Sequence, residues 1–199
     1  MTRTKRILIV MVVMAIAIVI LFFGDTKVVT FSTPKPPTSV PSTTIVPTPT
    51  IKETNGEILL TEWVYAHSNR ISKNVCREIV REAMRQPKPL VLLAIMEVES
   101  NFVPTARSNK NAIGLMQILP SAWDKDLIKR GDIKERRDLY DIGTNVKCGS
   151  YIFQLFLTQS KGNIDKALEL YLGGRDGAYV KRILTNLASL YLLVDVELR

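Results

Sequence analysis

An all-α single domain is the fold class the sequence predicts. Apolar residues recur at helical spacing from about residue 57 onward. Strand-like alternation is scarce. Turn signals separate segments of roughly 10–20 residues, a usual helix length.

The first element stands apart from that domain. Ile7 to Phe23 is a run of seventeen apolar residues without a charge. As a helix it spans about 26 Å, close to a thin hydrocarbon core. Arg3, Lys5 and Arg6 precede it and hold the N-terminus in the cytoplasm. No small-x-small cleavage pattern follows Phe23, and no Cys that would favour lipidation. Residues 1–24 are therefore expected to be an uncleaved signal anchor, with a cleaved signal peptide as the alternative. Either way the remaining chain lies outside the cytoplasm.

Residues 25–55 read as a linker. They hold six of the ten prolines, twelve Ser or Thr residues and no Gly. Such a stretch is extended and polyproline-like, and it reaches roughly 90–100 Å. A domain over residues 56–199 follows.

Within it, Ile71, Val75, Ile79 and Ala83 repeat at i+4 and form one apolar stripe, with Ser72 as N-cap. The stripe puts Cys76 on its core side. Pro87 and Pro89 open a helix over Leu90–Ser100. Pro104 marks the loop beyond it, and Pro120-Ser121-Ala122 starts another helix. Further helices are expected near 144–160, 164–171 and 178–193. Leu190–Val196 is apolar enough to pack on the domain or to dock a partner.

Composition narrows the function. The chain has 199 residues, 27 Lys+Arg and 19 Asp+Glu, for a net charge of +8. Residues 1–55 carry six basic and two acidic groups, so half of that excess precedes the domain. The domain is only mildly basic, which with export argues against nucleic acid. Cys76 and Cys148 lie in the exported part. One disulfide between them, closing about 70 residues and worth roughly 3–5 kcal/mol, stands against two buried thiols. The single histidine, His67, lies outside the informative segment and reads as a surface or helix-end residue. No metal site and no cofactor are expected.

The informative segment is Leu90–Gln117. Glu99 ends an almost wholly apolar helix, with Leu92, Ile95 and Phe102 on its face. A carboxyl group there loses solvation, and its pKa rises. A general acid near neutral pH needs that property; a structural glutamate tied to an amide or an arginine is the other reading. Glu97 is two positions away, about 200° around the helix, so the two carboxylates cannot work as a pair. Glu97 is read as structural or solvent-facing.

Glu99-Ser100-Asn101-Phe102, followed by Gly114-Leu115-Met116-Gln117, resembles the soluble lytic transglycosylase (SLT) family, which has a lysozyme-like fold. The resemblance continues through Pro120-Ser121-Ala122, Asn145 to Tyr151, Ala167 to Tyr171, Ala178-Tyr179-Val180 and Arg182-Ile183. It spans roughly residues 87–184, about half the chain.

The resemblance implies a lysozyme-like domain of the goose-type lysozyme and SLT kind. It implies Glu99 as the single catalytic acid and base, and peptidoglycan glycan strands as substrate. Glu99 gives its proton to the oxygen between N-acetylmuramic acid and N-acetylglucosamine. It then takes one from the muramic C6 hydroxyl, which closes onto C1 as a 1,6-anhydro end. Ser100, Met116, Gln117 and Tyr171 are the implied substrate-binding residues. Gln117 is either a satisfied buried amide or a sugar contact, and the contact is expected. Core packing is the other reading of Phe102, Met116 and Tyr171. Tyr171 is expected to hydrogen-bond the catalytic carboxyl or the substrate. Leu172 stands where the family carries Asn, so one amide contact is missing.

Three alternatives remain open. A hydrolytic muramidase would need a second carboxylate, for which Asp124, Asp126 and Glu169 are available. A non-catalytic wall-binding module is the second. The third concerns setting: an accessory of an envelope-spanning secretion, conjugation or phage-entry machine. The expected location is single-pass in the cytoplasmic or inner membrane through residues 7–23, with the domain in the periplasm or cell wall.

Overall fold

A computed structural model of the chain describes residues 54–68 and 71–197. The anchor and almost all of the linker fall outside the described residues. Among those described, no helix is long and apolar enough to cross a membrane.

The described chain is helical. The elements are α1 (Asn55–His67), α2 (Lys73–Met84), α3 (Pro89–Ser100), α4 (Pro120–Lys129), a 3₁₀ turn (Arg136–Tyr140), α5 (Ile142–Gln159), α6 (Ile164–Leu172) and α7 (Gly177–Glu197). The only β features among them are isolated bridges in the loop before α4. Helix α3 packs along α7, α2 lies against α1 and α5, and α6 packs on α5.

Local chemistry sets the ends. Ser72 caps α2 by accepting from the Val75 amide, so that orphan donor is satisfied. Helices α3 and α4 both begin with a proline in the first turn, where no amide is missed. Asp141 and Asn163 cap α5 and α6 through the Thr144 and Lys166 amides. Buried Glu57 of α1 pairs with Arg81 of α2, which ties these two helices together.

Helix α3 is the centre of the core. Val91 to Met96 are all buried, six consecutive residues. All but Ala94 are large apolar side chains, each contributing about 1.5–3 kcal/mol on leaving water. A helix buried all round has no solvent stripe, and its polar residues come only at its end. Those residues are Glu97, Glu99 and Ser100.

Cys76 and Cys148 are both buried and both free thiols. Of the two states the sequence left open, the structure has the unbridged one. Burial raises both thiol pKa values, that of Cys148 to about 11.

Candidate active site

Helix α3 stops abruptly behind its carboxylate. Asn101 and Phe102 have φ of +52° and +59°, two successive left-handed residues that reverse the chain. Asn tolerates this region; Phe is strained there. The Phe102 ring is fully buried and meets Trp63 edge-on at 6.1 Å, and that burial offsets the strain. Core packing is thus the role of Phe102. The sharp stop leaves Glu99 in the last turn, where the negative end of the helix dipole disfavours a carboxylate.

Glu99 is largely withdrawn from water, and burial pushes its pKa up. A hydrogen bond from Tyr179 and the charge of Arg182 pull the other way. The Tyr179 hydroxyl donates to Glu99 Oε1 at 2.5 Å. Burial and the neighbouring carboxylate hold that phenol well above its usual range, so it stays a neutral donor. Arg182 lies three residues further along α7, roughly one turn.

The loop from residue 101 to 119 forms the opposite wall, and Asn145 of α5 organises it from beneath. The buried Asn145 amide accepts from Met116 N (2.8 Å) and donates to the carbonyls of Ile113 (3.0 Å) and Leu139 (2.7 Å). Gly114 sits above it with φ +78°; a Cβ there would lie 2.2 Å from Asn145 Nδ2. Only glycine combines this backbone with this approach. Ser100 Oγ ties the helix to the loop, within donating distance of Met96 O (3.0 Å) and Leu115 O (2.8 Å).

The four expected binding residues divide. Gln117 and Tyr171 line one cleft with Glu99, of about 410 Å³, together with Trp123, Phe156 and Leu172. Gln117 Nε2 donates to Gly114 O at 2.9 Å and also approaches Ala106 O at 3.4 Å. Its amide is thus satisfied, yet it borders the cleft, so both readings hold in part. Ser100 does not line the cleft; its hydroxyl is spent on two backbone carbonyls. Met116 is fully buried, with Gly149 of α5 directly beneath it. A methyl at Gly149 would stand 2.5 Å from Met116 Cγ. The Met116 side chain is therefore core, and what reaches the site is its backbone.

Tyr171 differs from expectation in its partner. Its hydroxyl donates to Met116 O at 2.7 Å, while the bond to the Glu99 carboxyl comes from Tyr179. Its ring lies edge-on to Phe153 and Phe156. Trp123 and Phe156, edge to face at 5.8 Å, add an aromatic wall that the sequence reading missed. Such faces suit the apolar faces of sugar rings. Leu172, 40% exposed, forms the rim where the amide is missing.

Glu99 is the one carboxylate lining this cleft. Asp124 pairs with Arg136 at 2.5 Å, Asp126 accepts from Tyr151 at 2.9 Å, and Glu169 lies 3.8 Å from Arg175. Glu97 is half-buried and its pKa is raised by burial, but it does not line the cleft. His67 ends α1 and stacks on Trp63 at 4.0 Å. Among the described residues no three His, Cys, Asp or Glu side chains gather as a metal would need. Two grooves beside α6 and α7 are larger, about 620 and 490 Å³. They are shallower and contain no buried carboxyl, so chemistry favours the smaller cleft.

The sequence pattern of the transglycosylase SLT domain matches residues 78–181, which include Glu99, Asn145, Tyr171 and Tyr179. This chain belongs to that family. A membrane-bound lytic murein transglycosylase C of Actinobacillus succinogenes is 40% identical over 82 residues, 38% of this chain and 23% of that protein. Its namesake in Glaesserella parasuis is 42% identical over 71 residues, 34% of this chain and 18% of that protein. The matches thus span about a fifth of the length of these relatives. Among solved structures, the 70 kDa soluble lytic transglycosylase of Escherichia coli aligns with a TM-score of 0.44 and 23% identity. That alignment covers 64% of this chain and 20% of that one. In this SLT-domain chain, then, the cleft combines one buried acid, a tyrosine on that acid and an aromatic wall.

Proposed function

We propose that this chain is a peptidoglycan lytic transglycosylase of lysozyme-like architecture, in which Glu99 serves alone as acid and base. The observation that carries the reading is the solitary Glu99 in its cleft, buried, raised in pKa and held by Tyr179. A two-carboxylate mechanism needs a second acid within about 10 Å across the scissile bond. The cleft offers none, whereas one carboxyl that both gives and takes a proton needs none.

The protonated Glu99 donates to the glycosidic oxygen between N-acetylmuramic acid and N-acetylglucosamine. The C1–O bond breaks, and positive charge develops at the muramic C1. The Glu99 carboxylate next removes the proton from the C6 hydroxyl of the same sugar, and O6 bonds to C1. The products are a 1,6-anhydromuramic end and a free N-acetylglucosamine hydroxyl, with no water consumed. Tyr179 occupies Oε1, leaving Oε2 to carry the proton. Tyr179 also stabilises the carboxylate formed after the first transfer. Gln117, Tyr171, Trp123 and Phe156 position the glycan. Ser100 and Asn145 act behind them, by fixing the loop.

Residues 7–23 would anchor the enzyme in the cytoplasmic or inner membrane. The proline-rich stretch would let the domain reach the wall from there. The names of the relatives, which are membrane-bound, support the tether. Such a tether suits a cutter restricted to its own surroundings, in wall remodelling or beside an envelope-spanning apparatus.

The test is digestion of purified peptidoglycan by the chain and by its Glu99→Gln variant. Mass spectrometry of the released ends reads the result. Anhydro ends that vanish in the variant are expected. Reducing ends would mean hydrolysis. Binding to the wall without release, by both proteins, would make the chain a binding module.

A further inference from the structure

Helix α4 has two unlike faces. Trp123 and Leu127, one turn apart, look inward: Leu127 is fully buried, and Trp123 lines the cleft against Phe156. Lys125 and Lys129 stand about 200° around the helix from these two, and both are exposed. Ile128 neighbours Lys125 and Lys129 on the same outer surface, 47% exposed. The nearby carboxylates are spent on other partners. Asp124 pairs with Arg136, Asp126 accepts from the Tyr151 hydroxyl, and the nearly buried Asp132 holds both Arg130 and Lys147. Among the described residues no carboxylate pairs with Lys125 or Lys129. Asp124 lies one turn before Ile128, so the largely exposed Arg136 sits on the other flank of the isoleucine. Three cations therefore surround one exposed aliphatic side chain.

We infer that the outer face of α4 docks on an anionic phospholipid surface. Ile128 enters the headgroup layer, and Lys125, Lys129 and Arg136 meet lipid phosphates. The inference rests on the membrane-tethered reading above, which brings the domain close to lipid. Each lysine or arginine near an anionic bilayer raises the binding constant about fivefold. A soluble polyanion would answer the cations but has no use for the aliphatic side chain at their centre. A bilayer answers both, through its phosphates and the acyl boundary beneath them. Trp123 lies on the opposite side of the helix, so the cleft stays open while α4 is held. Docking would thus aim the cleft at material next to the membrane, where a tether alone leaves its direction free.

The test reconstitutes the full chain into vesicles of phosphatidylcholine, alone or mixed with phosphatidylglycerol. Ile128→Cys is labelled with a polarity-sensitive dye; Cys76 and Cys148 are buried and do not compete for it. The emission should move to shorter wavelength in the anionic vesicles and stay in place in the neutral ones. High salt should reverse the shift, since the screening length falls from about 10 Å at 0.1 M to about 3 Å at 1 M. Adding Lys125→Gln and Lys129→Gln should weaken docking about fivefold for each lysine removed. In the unlabelled chain, Lys125 and Lys129 should react with an amine reagent several-fold more slowly on anionic than on neutral vesicles. No shift and no protection in anionic vesicles would overturn the inference. So would an equal shift in both vesicles, or the same shift from soluble polyphosphate added to neutral ones. Flotation with neutral vesicles tests the tether separately. A chain that floats only with anionic vesicles and shifts there would overturn the tether and support the docking face. A chain that floats with neither would overturn both.

Discussion

Tyr179 and Glu99 stand 80 positions apart in the chain and meet in one hydrogen bond of 2.5 Å. Helix α7 packs along α3, and this packing brings the phenol to the carboxyl. The contact sets the balance of the site. Burial favours the protonated acid, while the phenol favours the carboxylate. The proposed acid–base cycle uses both forms in one turnover.

The first expectation follows from that balance. Tyr179→Phe removes a donor to the charged form, so the pKa of Glu99 should rise further. A general acid must be protonated in the free enzyme, and activity falls as pH climbs through its pKa. The alkaline limb of kcat/KM should therefore move to higher pH in the variant. The rate at the optimum should drop about 10- to 1,000-fold, because the carboxylate formed in the first step loses its donor. An unchanged alkaline limb would remove Tyr179 from the acid–base balance.

Tyr171 serves as the contrast. Its hydroxyl supports the Met116 carbonyl, not Glu99. Tyr171→Phe should lower stability by about 1 kcal/mol, the usual worth of such a bond. It should leave the alkaline limb nearly in place. Denaturant unfolding and the pH profile together separate the two tyrosines. A limb shift equal to that of Tyr179→Phe would mean the roles are shared.

How far the sequence discloses this site follows from the range of each interaction. Pro89, Pro120 and Ser72 act on their own helix starts, and their effects are legible locally. Glu99 is legible because its apolar neighbours Leu92 and Ile95 lie on the same helix. The partner of Glu99 is not, since it comes from α7. Tyr171 and Tyr179 are one α6–α7 turn apart, and nothing local tells which one faces the acid. Met116 belongs to the motif, but Gly149 beneath it makes it core. Asn145 looks like one more polar helical residue until its three backbone partners are seen.

Asn145 should be the most sensitive residue outside the cleft. Asn145→Ala leaves the Met116 amide and two carbonyls without their partner in the interior. An unsatisfied buried group costs about 1–3 kcal/mol, so a loss of roughly 3 kcal/mol or more is expected. Asn145→Asp still accepts from Met116 but turns an acceptor toward the Ile113 and Leu139 carbonyls. It should be no better. Thermal unfolding checks both, and a loss under about 1 kcal/mol would show that the loop is held elsewhere.

The thiols give a simple chemical reading. With a pKa of about 11, Cys148 is thiolate in only about one molecule in a thousand at pH 8. Cys76 is likewise buried and raised. Neither should react with iodoacetamide in the folded chain, and both should react after unfolding without reductant. Labelling that requires reductant would reveal a bridge.

Glu99→Gln should separate stability from activity. The folded pKa of Glu99 lies above its ordinary value of 4.5, so between the two the folded chain binds more protons than the unfolded one. Stability therefore falls as pH rises through that window, and it stays reduced above the folded pKa. Glutamine has the same shape and still accepts from Tyr179, but it never ionises. The variant should lose activity about 100- to 10,000-fold, the share of a general acid. It should nevertheless melt higher than the unmutated chain at neutral pH, by a few degrees. The gap should close as pH falls below 4.5, where both side chains are neutral. Melting curves from pH 4 to pH 8 read this directly. A variant destabilised equally at every pH would mean that the Glu99 carboxyl holds the fold together, and that its burial does not serve proton transfer.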